Sequence, residues 1–143
     1  MGRVRYVDIG FFQEGSTERS GFAVLTDRVL DPLRALRPAG ADKRTFGHLF
    51  VVSGSRTMPG AVLMAVESAL LSGVGLVTAF VPESLAAAFA ARLPEAMWVP
   101  MPETLDGGLA LEGRGSVVAR AARCTGLLAG PGLGRDRESL ALV

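Results

Sequence analysis

A chain of 143 residues is long enough for one modest domain with its own core, and a hydrophobic share of 49% excludes a disordered protein. The formal net charge is +1, from 15 Lys and Arg against 14 Asp and Glu, so there is no electrostatic case for nucleic acid as a partner. Glycine, proline or charge interrupts every apolar run before it reaches the length of a membrane span, and one cysteine forms no internal disulfide, so no membrane is expected and a reducing cytoplasm is the expected compartment.

The N-terminus, Met1-Gly2-Arg3-Val4-Arg5, lacks the apolar core of a signal peptide. Residues 1–45 hold 14 charged side chains and residues 46–102 only five, Arg56, Glu67, Glu83, Arg92 and Glu95. A solvated leader followed by a buried heart is the reading of that asymmetry. Residues 4–12 (VRYVDIGFF) read as a short strand and 13–21 as a polar linker. Thr26 is a candidate cap for a short broken helix with Val29, Leu30, Leu33 and Leu36 on its apolar side.

The run Leu49-Phe50-Val51-Val52 predicts the first core strand. A polar glycine loop, residues 53–60, follows it, and then an apolar helix from Ala61 that stops at Gly73, a residue suited to a left-handed C-terminal cap. That helix is apolar almost all round, which predicts packing on the sheet and also against a further layer or another subunit. A homo-oligomer is one way to supply that cover. Residues 75–80 predict a second strand, and 85–93 a second helix with Ser84 as its cap. After Pro94-Glu95 come a short apolar run, 96–99, and a loop at 102–115 with a hairpin about Asp106-Gly107-Gly108. A short helix, 117–123 with Ser116 as cap, precedes a strand at 125–129, and a helix begins at Arg137. Alternating strands and helices define an α/β fold with a parallel sheet.

Two loops at the carboxyl ends of strands could carry chemistry, because open α/β sheets bind ligands there. In the 53–60 loop, glycines admit a ligand close to the backbone, and the following helix offers unpaired N–H groups to an anion. Without a ligand the same loop is only a tight strand-to-helix turn, and it is not a P-loop, since no Gly-Lys-Ser/Thr closes it. The second loop, Gly130-Pro131-Gly132-Leu133-Gly134, holds more glycine than a turn needs. Close approach to a phosphate or sugar is its functional reading, and a rigid loop ending its structural one. His48, Cys124, Glu67, Glu95, the methionines and Trp98 read as structural. Arg135, Asp136 and Arg137 read as a helix start, with Arg135 the one phosphate contact among them.

The residues now become recognisable. Lys43-x-x-x-Gly47-His48, Gly54-Ser55-x-x-Met58-x-Gly60-Ala61, Ser72-Gly73-Val74-Gly75-Leu76-Val77, Pro94-Glu95 and Gly130-Pro131-Gly132-Leu133-Gly134 together resemble the ADP/ATP-dependent NAD(P)H-hydrate dehydratase family over residues 38–137. Tyr6-Val7-Asp8-Ile9-Gly10 resembles the closing strand of an NAD(P)H-hydrate epimerase domain. The resemblance implies a ribokinase-like three-layer α/β/α fold, here its first half. Residues 1–20 would be the tail of an epimerase-like domain fused N-terminally, plus a linker, and 21–143 the N-terminal part of the dehydratase domain.

The implied activity is nicotinamide nucleotide repair: dehydration of hydrated NADH or NADPH (NADHX, NADPHX) with ADP or ATP, and with Mg2+. The implied substrate-binding residues are Gly60 and Ala61 at the helix start and Gly130, Gly132, Leu133, Gly134 and Arg135 in the second loop, contacting a small-molecule dinucleotide through backbone N–H groups. Ser55 and Met58 shape the first loop. Ser53 departs from the glycine usual in the family, and Asp42 and Arg44 from its usual neighbours of Lys43. No residue here is assigned catalysis or a metal. The family's catalytic aspartate lies in a Gly-x-Gly-Asp segment that the sequence lacks, so it is expected beyond residue 143 and this chain alone is expected to be inactive. Two other classes stay open: a small-molecule kinase of the ribokinase-like group, and a non-enzymatic half-domain whose sheet edge pairs with another chain.

Overall fold

The run 48–52 offers apolar side chains to both sides, as a strand covered on two faces requires. It forms β1 (His48–Val52), an inner strand of a four-stranded parallel sheet in the computed structural model, which describes Asp31 and residues 37–143. The expected leader strand, the linker and the broken helix apart from Asp31 lie outside those residues. The other strands are β2 (Leu76–Pro82), β3 (Met97–Met101) and β4 (Gly126–Ala129). Their order is β3-β2-β1-β4. His48 pairs with Leu76 and Leu49 with Gly126, so β1 is held on both edges. The apolar run at 96–99 carries β3, which pairs Thr78 with Met97.

Side chains alternate between two cores, as period-two geometry demands. On one face Val51, Val77, Ala79 and Val81 pack against Val62 and Val66 of α1 (Pro59–Leu71) and Phe89 of α2 (Glu83–Arg92). Val62 and Val66 are fully buried, each contributing about 1.5–3 kcal/mol on that account. On the other face Phe50, Val52, Phe80 and Met101 meet Leu109 and Leu133, with Val117 of α3 (Arg114–Val118) and Leu142 of α4 (Arg137–Leu142) packed against them. The sheet therefore lies between two helical layers, the α/β/α arrangement expected. The connections from β1 and β2 run to one side and β4 lies on the other side of β1. The order reverses between β1 and β4, which makes their carboxyl ends a topological switch point.

α1 ends as its sequence directs. Gly73 adopts φ 89°, its N–H bonds to Leu70 O, and Val74 N–H bonds back to Ala69 O, the paired bonds of a Schellman cap. Among the described residues the sheet covers one side of α1, while Met64 and Leu71 are 65% and 84% exposed, open to the further layer or subunit expected for so apolar a helix. Two expectations need correction. α2 starts at Glu83, so Ser84 is inside the first turn, and its N–H is capped from a distance by the Glu103 carboxylate at 2.6 Å. Ser116 likewise lies inside α3, whose start is set by a 3-10 turn, Leu111–Gly113, tucked against Met101; the helix breaks before a second 3-10 turn at Ala121–Arg123.

Candidate active site

Where β1 runs out, its last residues are used to join the two glycine loops. Ser53 N–H continues the ladder to Phe80 O, while its buried hydroxyl donates to Pro131 O at 2.5 Å. Gly54 N–H donates to the same carbonyl at 3.1 Å, and Gly130 N–H to Val52 O at 3.2 Å. The serine that departs from the family pattern thus becomes a cross-link between the loops. Gly132 completes the junction. At φ 72°, a β-carbon on it would lie 2.8 Å from Ala61 Cβ and 2.9 Å from Met58 O. The second loop therefore lies directly against the start of α1, at the switch point.

The expected binding residues divide into two sets. Gly130 N–H and Leu133 N–H are spent inside the protein, the latter on Gly130 O at 3.1 Å, and the Leu133 side chain is buried in the core beside Phe50 and Phe80. These two anchor the loop. The N–H groups of Gly132, Gly134 and Arg135 take no partner among the described residues. At the head of α1, Pro59 has no N–H to offer and Ala61 N–H reaches Met58 O at 3.3 Å, which leaves the Gly60 N–H free among the described residues.

Beside this junction is a cavity of about 340 Å³, lined by Ser55 and Thr57 of the first loop, Gly134, Arg135 and Asp136 of the second, and Asp106 and Gly108 of the hairpin. Gly60, Ala61 and Gly132 are at the seam rather than in its lining. Ser55 and Thr57 hydroxyls are 3.1 Å apart.

The hairpin's share was not foreseen from sequence. Its turn is where expected, with Thr104 N–H bonded to Gly108 O and Glu103 bridged to Leu109. What places it over the first loop is Arg56. Its N–H donates to Gly107 O at 2.8 Å, its guanidinium to Leu105 O at 2.7 Å, and Glu103 lies 3.4 Å from Nε. The one signal in the sequence was an arginine in the middle of a stretch almost without charge.

Asp136 closes the other wall. It is the N-cap of α4, accepting Ser139 N–H at 2.9 Å, and Ser139 Oγ donates in turn to Leu109 O at 3.0 Å. A β-carbon on Gly108 would collide with both side chains, so glycine is what lets the hairpin close. Burial raises the Asp136 pKa, but the hydrogen bonds from Ser139 outweigh it and hold the carboxyl below its ordinary value. A depressed folded pKa gives stability that is present above the unfolded value and lost as pH falls through the folded one. Asp136→Ala should therefore cost about 1 kcal/mol at neutral pH, with the gap to the parent chain closing below about pH 4. Urea unfolding at pH 7, 5 and 3 measures this; an equal gap at all three would remove Asp136 as the cap.

Among the described residues no helix is long and apolar enough to cross a membrane. The model of the NAD(P)H-hydrate dehydratase family matches residues 49–143. A bifunctional NAD(P)H-hydrate repair enzyme of Moorella thermoacetica is 34% identical over 143 residues, covering 99% of this chain and 27% of its own length. An ADP-dependent (S)-NAD(P)H-hydrate dehydratase of Lactococcus lactis is 38% identical over 116 residues, covering 81% of this chain and 38% of its own. A ribokinase-like superfamily protein of Enterococcus faecalis V583 superposes with a TM-score of 0.68 at 28% identity, over 82% of this chain and 38% of that one. The chain thus spans well under half the length of these relatives. With the family model covering both glycine loops and all four strands from Leu49 onward, the chain belongs to the NAD(P)H-hydrate dehydratase family and carries part of a ribokinase-like α/β fold.

Proposed function

We propose that this chain supplies the dinucleotide-facing portion of an enzyme that dehydrates NADHX or NADPHX back to NADH or NADPH at the expense of ADP or ATP. The observation that carries the reading is Gly132 seated against Ala61 and Met58. It brings the second loop and the head of α1 to one switch point, with the Gly60, Gly132, Gly134 and Arg135 N–H groups unspent among the described residues. Such backbone donors suit a pyrophosphate or ribose phosphate, whose charge is spread over several oxygens.

When bound, the nucleotide would supply a phosphoryl group that turns the ring hydroxyl into a good leaving group; the ring nitrogen lone pair would expel it as phosphate, and loss of a proton from the adjacent ring carbon would restore the ring double bond. This chain's part is positional. The loop amides hold the dinucleotide, Arg135 adds a cation at the cavity wall, and the hairpin fixed by Arg56 brings Asp106 and Gly108 to the same wall. Among the described residues there is no group of three side chains that could hold a metal by themselves, and Mg2+ would come with the nucleotide, held mainly by its phosphates.

The domain reading remains 1–20 as the tail of an epimerase-like domain and linker, with 21–143 as the start of the dehydratase domain. It is supported by the coverage of the relatives: the bifunctional enzyme matches 99% of this chain, the ADP-dependent dehydratase 81%. A cytoplasmic place and an epimerase fused in the same polypeptide belong to the same proposal.

Thermal unfolding of the 143-residue chain with NADPHX, NADPH and ADP tests it. NADPHX should raise the midpoint more than NADPH does, and phosphate release with NADPHX and ATP should stay at background, since no Gly-x-Gly-Asp segment is present. Protection by small thiazole or pyrimidine alcohols with none by NADPHX would move the chain to the small-molecule kinases.

A further inference from the structure

The sheet has a second opening, at the end away from the glycine loops. There the amino ends of all four strands surround a cavity of about 590 Å³, within the usual size of small-molecule pockets. Its floor is a built structure. His48 N–H donates to Thr125 Oγ1 at 2.7 Å, and Thr125 N–H returns to His48 O at 3.0 Å. Gly47, at φ 77°, allows this approach, since a β-carbon there would lie 2.6 Å from Thr125 Oγ1. The imidazole is fixed by Thr78 Oγ1 at 2.7 Å from Nε2 and by Phe50, edge to face at 4.9 Å.

The charge of the lining is one-sided. Lys43, Arg44 and Arg123 reach it, and no Asp or Glu does. None of the three takes a hydrogen bond or ion pair through its side chain among the described residues. The nearest acid along the chain, Asp42, is turned back into its own loop, accepting the Arg44 and Thr45 N–H groups at 2.8 and 3.1 Å. Burial first, and then the charge of Arg123, hold the His48 pKa below its ordinary value.

Basic residues at this end of a parallel sheet could simply neutralise the carboxyl ends of helices. For α1 that task is already done. Its Schellman bonds satisfy the Ala69 and Leu70 carbonyls, and Arg37 donates to Gly73 O while stacking on Phe46 at 4.1 Å. The three remaining cations face the cavity together, with Leu76 and Met97 as an apolar wall beside them.

We infer that this cavity is a second binding site, for a small phosphate-bearing anion, with Lys43, Arg44 and Arg123 as its cationic ligands. A guanidinium fork binds carboxylate and phosphate alike, and three cations in a lining with no acid favour the anion of higher charge, a phosphate. The site is separated by the length of the strands from the glycine loops, so it can be occupied while they are occupied or empty.

The test is a titration of the 15N-labelled 143-residue chain with inorganic phosphate and with glycerol phosphate, followed by amide shifts. Saturable movement of the Gly47, His48, Leu76 and Thr125 amides is expected. Arg123→Gln should weaken it about tenfold, and Lys43→Gln by a similar factor. Tighter binding of the ester would identify a phosphorylated metabolite, through the apolar wall, and equal binding free phosphate. No saturation of these amides by about 10 mM, or saturation that both variants leave unchanged, would overturn the inference. Movement confined to Gly132, Gly134 and Arg135 would also overturn it, placing the anion at the glycine loops instead.

Discussion

Gly132→Ala is expected to destabilise the chain by about 2–3 kcal/mol and to remove protection by NADPHX. Two separate physical effects act at this position. The backbone sits at φ 72°, where a side chain is strained whatever the space. The new methyl also has nowhere to go, since Ala61 Cβ and the Met58 carbonyl oxygen are both under 3 Å from it. Neither is the tip of a flexible side chain, so the loop itself must retreat from the head of α1. Gly130→Ala separates the two effects. Its φ of 124° is also unfavourable, but nothing lies within 4 Å of the added atom. It should cost about 1 kcal/mol from backbone strain alone. Equal unfolding free energies for the two variants, or NADPHX protection surviving in Gly132→Ala, would mean that the contact between the loops is not what forms the site.

That contact also explains why the site is where it is. β1 and β4 are neighbours, yet the helices that follow them, α1 and α4, pack on opposite faces of the sheet. The loops leaving the two strands diverge above the sheet and open a crevice between them. Ser53 and Gly54 fasten one side of that crevice to the other through the Pro131 carbonyl. The free amides are then set by exclusion: donors closest to the strands complete the ladder or the turn, and those one step further out remain for a ligand.

The order β1–α1–β2 could be read from sequence because its signals are local. A buried apolar run, a glycine loop and Gly73 each report on their own neighbourhood, and Gly73 formed the cap its position implied. The two glycine loops were legible for the same reason. What escaped was long-range. Ser84 looks like a helix cap in its own pentapeptide, but Glu103, 19 residues away, takes the N–H that matters. The hairpin at Asp106 was visible as a turn, while its docking depends on Arg56, 49 residues from Leu105. Leu133 lies between glycines, and sequence alone gives it their role. Its side chain instead enters the core, and its N–H closes the turn onto Gly130. Local composition marks where a loop can approach a ligand, but the tertiary partners decide which amides are left over.

The largest effect of any single methyl group is expected at Gly75. Its backbone φ is not in the left-handed region, so no local rule demands glycine there. The demand comes from the segment that precedes β1. A β-carbon on Gly75 would overlap the Lys43 carbonyl oxygen, lie 2.7 Å from its carbon, and touch Gly47 O at 3.0 Å. All are backbone atoms, Gly47 O is held by Leu76 N–H, and the same segment is tied to β2 by Gly75 N–H on Phe46 O, both at 3.1 Å. Relief requires the Lys43 backbone or the amino end of β2 to move, and either shift strains those bonds and the His48–Leu76 pair that begins the register. Gly75→Ala should cost at least about 3 kcal/mol, a large fraction of the roughly 5–15 kcal/mol that holds a domain together. Gly115→Ala is the matched control, because it adds the same methyl within α3 with nothing inside 4 Å, and should be neutral or stabilising by up to about 1 kcal/mol. Urea unfolding of both variants, with amide exchange at Leu76 to Phe80, gives the comparison. If Gly75→Ala unfolds at the same urea concentration as Gly115→Ala, the approach of the Lys43 backbone to β2 is not tight, and the floor of the cationic cavity loses the support that the pre-β1 segment gives it.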